Sequence, residues 1–368
     1  MTCYVLGVAG TAKNTGKTTV LRALMAEAAT LGIAVGLTSI GYDGEDRDHV
    51  TGLPKPRVTV PAGTWVATAE AGVRGRSEFS LAVCDAHPVL TALGRVVAAR
   101  ADRPARTVLA GPATARDLSH VTMTLARLGA RLVLVDGAFG RLAPMTAVHG
   151  LVIATGAARH PEPERVARET GAICQLLALP RWEKWALEKS GNLQVLGPHG
   201  AVALRYPALL APAWGEELAR AAGAVAGKAG LATAYVPGSV NSAALSALRR
   251  ALPAQVKLEV VFSHPLHLLA AGDPEGTAQA IASLAQAGHG VTVRDTVPLL
   301  AITVNPFYPA PGTGGEYRAE YVDAGHLLSA IREISPVLVT DVFLDGPAAL
   351  WQQVWRYAGT AGSGGRAM

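Results

Sequence analysis

The sequence predicts an α/β fold: a mostly parallel sheet flanked by helices, followed by a second α/β domain. Three observations support this reading. An apolar strand near the start of the chain runs into a loop of small residues and then a helix. A later apolar strand, Leu132-Val133-Leu134-Val135-Asp136, ends in a carboxylate. Elsewhere, apolar strands alternate with stretches of helical periodicity, which is the pattern of βαβ units.

A chain of 368 residues can bury two separate cores. With 50% hydrophobic and 17% charged residues it belongs with packed rather than disordered proteins. No apolar run reaches the roughly 18 residues of a membrane span, so no membrane association is expected. The opening Met1-Thr2-Cys3-Tyr4-Val5-Leu6 lacks a basic targeting region and reads as the first strand. Cys3, Cys84 and Cys174 form no metal-ligand pattern and read as reduced thiols of a cytoplasmic protein. The net charge of +5 comes from scattered arginines without interleaved aromatics, so nucleic acid is not an expected partner.

Taken in order, the first element is the strand Val5–Gly10, and its loop is Thr11-Ala12-Lys13-Asn14-Thr15-Gly16-Lys17-Thr18-Thr19. Where such a loop turns into a helix, consecutive backbone N–H groups and the helix N-terminus converge on a phosphate. A lysine there reaches the β- and γ-phosphates, and the following hydroxyl binds Mg²⁺. Thr11 through Thr19 are therefore the candidate nucleotide-binding residues, with Lys17 catalytic and Thr18 a metal ligand. The spacing departs from the usual pattern, because five residues separate Gly10 from Gly16 and Thr11 occupies the first glycine's place. The competing reading is a chance Gly-Lys-Thr in a glycine-rich chain.

Thr19–Ala29 has helical periodicity with Leu21, Leu24, Met25 and Ala28 on one face, and Ile33–Ser39 is the next strand. That strand opens into an acidic loop holding Asp43, Glu45, Asp46 and Asp48. The loop is either a solvated turn or the source of a carboxylate for Mg²⁺. Asp43 is the named candidate, and the choice among the four stays open. Pro54 and Pro56 hold Lys55 and Arg57 in an extended path, either as phosphate contacts or as surface cations. Arg106–Ala110 reads as a strand and Ser119–Leu128 as a helix. The strand ending at Asp136 is of the Walker-B type, whose carboxylate sits beside a phosphate-binding loop and orients the Mg²⁺ shell. Asp136 is accordingly a catalytic and metal candidate. Arg141, on the same rim, is either a phosphate contact or a plain loop charge. Gly150–Thr155 is a strand and Pro161–Leu179 a helix.

The first domain is thus P-loop NTPase-like and is placed at 1–187. The second, at 188–357, is read as strands at Ala232–Val236, Lys257–Ser263, Gly290–Val293, Pro298–Val304 and Val337–Asp341 with helices between them. Leu204–Leu209 is a further candidate strand. The turn Pro237–Ser242 is either an anion site or a capped helix start, and His264 with His267 is a weak candidate for a shared metal. A disordered tail is expected over 358–368.

The form Gly-Thr-x-x-x-x-Gly-Lys-Thr resembles the loops of the dethiobiotin synthetase and cobyric acid synthase family, while Lys13 lies one residue later than the signature lysine of MinD-type loops. A wider set is similar to one family: residues 10–19, Thr38–Glu45, Pro54–Arg57, Gly63–Ala69, Val135–Ala138, Ala154–Ala157 and Ala301–Pro306. It resembles the KamB-type subunit of the reactivating factor for adenosylcobalamin-dependent lysine 5,6-aminomutase. The resemblance implies ATP and Mg²⁺ as ligands and an ATPase partner subunit similar to mismatch-repair ATPases. It also implies a cobalamin-dependent lysine or ornithine aminomutase as the client, with nucleotide coupled to release of damaged cofactor. Two alternatives are a small-molecule ligase of the dethiobiotin synthetase type and a nucleotide-gated scaffold without turnover. Whether the chain hydrolyses ATP alone stays open.

Overall fold

The computed structural model describes residues 3–41, 58–83, 88–184, 190–312 and 317–363. Asp43, Glu45, Asp46, Asp48, Lys55, Arg57 and Cys84 lie outside the described residues.

The chain runs β1 (Tyr4–Gly10), α1 (Lys17–Thr30), β2 (Val35–Ser39), β3 (Val58–Val60), β4 (Trp65–Ala69), β5 (Phe79–Val83), β6 (Leu90–Thr91), β7 (Gly94–Ala101), β8 (Ala105–Thr107), α2 (Ala115–Arg127), β9 (Leu132–Ala138), β10 (Gly150–Gly156) and α3 (Pro163–Leu177). It continues with β11 (Gln194–Gly197), β12 (Gly200–Ala203), α4 (Pro212–Ala226), β13 (Leu231–Val236), α5 (Ser242–Ala251), β14 (Lys257–Phe262), α6 (Leu266–Leu269), α7 (Pro274–Gln286) and β15 (Gly290–Val293). It ends with β16 (Leu299–Asn305), β17 (Phe307–Pro311), β18 (Tyr317–Tyr321), α8 (Ala324–Ile334), β19 (Leu338–Thr340) and α9 (Ala348–Ser363).

Two compact units result: Met1–Ala167 with Pro298–Met368, and Arg168–Val297. The first is built on a 10-stranded sheet in the order β19-β16-β10-β1-β9-β2-β4-β7-β5, with β6 on β7. From β19 to β4 every neighbour is parallel, and the three strands beyond β4 join through antiparallel ladders. β1 is buried along its whole length, as expected of a strand covered on both faces. Helix α1 buries Val20, Leu21, Leu24, Met25 and Ala28, the face that its periodicity predicts. The second unit has a five-stranded sheet, β12-β11-β13-β14-β15, in which β13, β14 and β15 are parallel. The α/β fold with a mostly parallel central sheet is therefore realised.

Its division differs from the expected cut after residue 187. Residues 298–368, assigned from sequence to the second domain, belong to the first unit. The reason is pairing: β16 lies parallel to β10 from Leu151↔Leu299 to Gly156↔Asn305, and β19 extends the sheet beyond it. The tail also differs, because α9 runs to Ser363. Leu350, Trp351 and Val354 of α9 join the core that contains Leu6, Val8 and Leu24. Each such side chain contributes about 1.5–3 kcal/mol on burial, enough to hold the start of a glycine-containing helix. Leu204–Leu209 forms no continuous strand, but it pairs locally: Leu204 N donates to Leu193 O at 2.9 Å, Tyr206 O accepts from Leu193 N at 2.8 Å, and Leu209 makes an isolated parallel bridge to Val240, beyond the β11–β12 hairpin just before it. The strand expected at Arg106–Ala110 is the short β8, antiparallel to β3.

Candidate functional site

β1 runs between β9 and β10, so its carboxyl end is set beside theirs: Gly10 pairs with Ala138 on one side and Ala154 on the other. In open parallel sheets, the crevice outside the carboxyl ends is where ligands bind, at the point where successive connections turn to opposite sides. Beyond Gly10 the loop is tied down from within. The Thr11 N–H donates to Ala154 O at 3.0 Å, and the buried Thr11 hydroxyl donates to Thr155 Oγ1 at 3.0 Å. The Thr15 hydroxyl donates to Ala12 O at 3.0 Å. Asn14 takes φ 64° and Gly16 φ 95°, both left-handed, which swings the main chain around before α1 begins at Lys17.

Gly10 has its own steric reason. A Cβ there would stand 2.7 Å from Lys17 Cγ and Cδ and from Thr15 Oγ1, so any larger residue displaces the lysine. No side chain caps α1 and no acidic residue occupies its first turn. By contrast, Thr114, Asn241, Asp273 and Asp323 cap α2, α5, α7 and α8 through their side-chain oxygens. The N-terminal N–H groups of α1 and its positive dipole end are therefore left for an anion.

Opposite the loop stands Asp136 on β9, where the Asp136 carbonyl accepts from Ile40 N at 2.8 Å. Lys17 Nζ lies 3.5 Å from Asp136 Oδ1, with the two side chains 23% and 22% exposed. That carboxylate oxygen is buried and accepts no hydrogen bond from the described residues, so the lysine contact is an ion pair by distance and leaves a lone pair unused among them. Both residues line a cleft of about 390 Å³, within the usual range for a small-molecule site.

Residues 13–19 of the loop and Asp136 line this one cleft. Thr11 and Ala12 are not among its lining residues; Thr11 anchors the loop to β10 instead. Asp43 lies outside the described residues. Arg141 is in the cleft wall, with Nη1 3.3 Å from where a Cβ on Gly41 would stand. Asn305 and Phe307 also line the cleft and were assigned no role by sequence reasoning. The available signal was an apolar strand running into Asn305-Pro306, a turn-forming dipeptide at the strand's carboxyl end. Ile40, Val58, Val108 and Leu109 add an apolar wall, drawn from β2's end and the β3–β8 pair.

A hard cation needs oxygen ligands, and this site offers the Thr18 hydroxyl and the Asp136 carboxylate in the same cleft. Among the described residues, no group of three or more His, Cys, Asp or Glu forms a protein-only metal cage. The donor set fits Mg²⁺, which keeps waters and takes phosphate oxygens in preference to an all-protein shell. His264 and His267 are otherwise engaged: His264 Nδ1 accepts from Leu266 N at 3.2 Å, and His267 Nδ1 pairs with Ser263 Oγ at 2.7 Å. The turn before α5 is a capped helix start, with Asn241 Oδ1 accepting from Ala244 N at 2.8 Å. Comparison of the chain with protein-family models, with curated proteins and with solved structures gives no match, so the reading of this cleft rests on its own residues.

Proposed function

We propose that this chain binds ATP with Mg²⁺ in the cleft between the Gly10–Thr19 loop and Asp136. The observation that carries the proposal is the Lys17–Asp136 pair, 3.5 Å apart in the wall of one cleft at the mouth of an uncapped helix. Lys17 would leave Asp136 for the β- and γ-phosphates, and the N–H groups of residues 15–18 would take the phosphate oxygens. Thr18 would give its hydroxyl to Mg²⁺ directly, and Asp136 would hold the metal's waters through the unused Oδ1 lone pair. Bound Mg²⁺ supplies charge neutralisation of the polyphosphate. With no paired general base in the cleft wall among the described residues, the residues act by positioning and electrostatics.

On the motif resemblance, we place this site in the nucleotide-binding subunit of a reactivating factor for a cobalamin-dependent aminomutase. In that role, nucleotide binding or turnover would change affinity for a protein client. Phosphate release from MgATP is the test. The proposal expects it to rise on adding the ATPase partner subunit and a cobalamin-inactivated aminomutase. A burst that needs only a small carboxylic acid would replace it with the ligase reading.

A further inference from the structure

We infer that Asn305 is the residue that holds the phosphate-binding loop in its working shape, an inference that rests on the nucleotide reading above. Asn14 is the one non-glycine at positive φ among the described residues. An asparagine tolerates that conformation, but something must hold it there when no ligand does. Its carbonyl is also a problem for anion binding. In a loop whose N–H groups converge on phosphate, an unpaired carbonyl oxygen presents negative charge to the same space.

Asn305 removes both difficulties. Its Nδ2 donates to Asn14 O at 2.8 Å, across 291 residues of chain. Its Oδ1 accepts from Phe307 N at 3.2 Å. Only one orientation of the carboxamide gives a donor to the carbonyl and an acceptor to the N–H, so the two contacts together fix the side chain. The backbone beneath it is fixed as well. Asn305 pairs with Gly156 at the end of the β10–β16 ladder, and its carbonyl accepts from Ala157 N at 3.0 Å. That closeness requires Gly156, since a Cβ there would meet Asn305 O at 2.0 Å. On its other side the Asn305 Cβ is 3.4 Å from the Cβ position of Gly16, directly under the turn into α1. The loop is thus braced from β16, a strand that reaches it only through the return of residues 298–368 to the first unit.

Asn305 acts through Asn14 and is a positioning residue. Its loss should weaken everything that binds by its phosphates, by roughly tenfold, the worth of one well-placed neutral hydrogen bond and the order it maintains. The test is calorimetric titration of wild type, Asn305→Ala and Asn305→Leu with MgATP and with Mg-tripolyphosphate, alongside each variant's Tm without ligand. Asn305→Leu keeps the side chain's size and removes the donor without adding charge to the cleft wall, so it reads the contact even where the alanine variant is poorly folded. Expected is the same loss for both ligands, in a variant whose ligand-free Tm stays close to wild type. Loss for MgATP with tripolyphosphate unchanged would place Asn305 on the nucleoside and overturn the inference, as would unchanged affinity for both. Failure of wild type to bind either ligand would instead remove the nucleotide reading itself.

Discussion

Lys17 Nζ and Asp136 Oδ1 face each other at 3.5 Å, the lysine from the first turn of α1 and the carboxylate from the middle strand β9. The stem of the lysine packs where Gly10 leaves room, and its ammonium faces the carboxylate. Under the proposed function, a polyphosphate would exchange one anionic partner of the lysine for another.

Lys17→Ala should reduce MgATP affinity by about 100-fold or more, since a charge-assisted contact in a partly desolvated cleft is lost. Isothermal titration measures it. Affinity equal to wild type would mean that the loop does not grip a polyphosphate.

Asp136→Asn preserves shape and removes charge. MgATP binding should weaken, while binding of ATP in EDTA should hold steady or improve, because a carboxylate facing phosphate repels it when no metal stands between. An equal loss with and without Mg²⁺ would deny Asp136 a metal role.

Gly10→Ala puts a methyl group 2.7 Å from Lys17 Cγ and Cδ. Overpacking of this kind costs about 1–3 kcal/mol, partly relieved by moving the lysine. Nucleotide affinity should therefore fall together with a modest drop in Tm, and a variant with both unchanged would contradict the close approach.

A pH dependence belongs to the second unit. Burial, with the Arg294 charge as a smaller cause, lowers His264 to about 3 and His267 to about 4 from the usual 6.5; His267 also lowers His264, and Asp295 opposes the shift there. Between those values and 6.5 the unfolded chain binds protons that the folded unit refuses. The stability these residues confer is complete above about pH 6.5 and is lost as pH falls towards 4. Urea midpoints followed by tryptophan fluorescence should drop between pH 7 and pH 5. In His264→Gln/His267→Gln, the drop should shrink. A double variant as acid-sensitive as wild type would assign the effect elsewhere.

Chain order alone determined the parts of this protein whose causes are close in sequence. A buried strand, a small-residue turn and an uncapped helix fit within Tyr4–Thr30, and an apolar run ending in Asp136 needs no distant partner to be recognised. Helix α8, over Ala324–Ile334, buries Leu327, Leu328 and Ile331, a spacing of three and four that its sequence displays. Tertiary structure decided what periodicity does not encode. The strand ending in Asn305 could extend either sheet equally well by its composition, and its parallel ladder with β10 is what places it in the first. That choice brings Asn305 and Phe307 to the loop. It also draws α9 onto the core, where Trp351 stacks on Trp355 at 5.4 Å, although the residues that follow look unstructured when read alone.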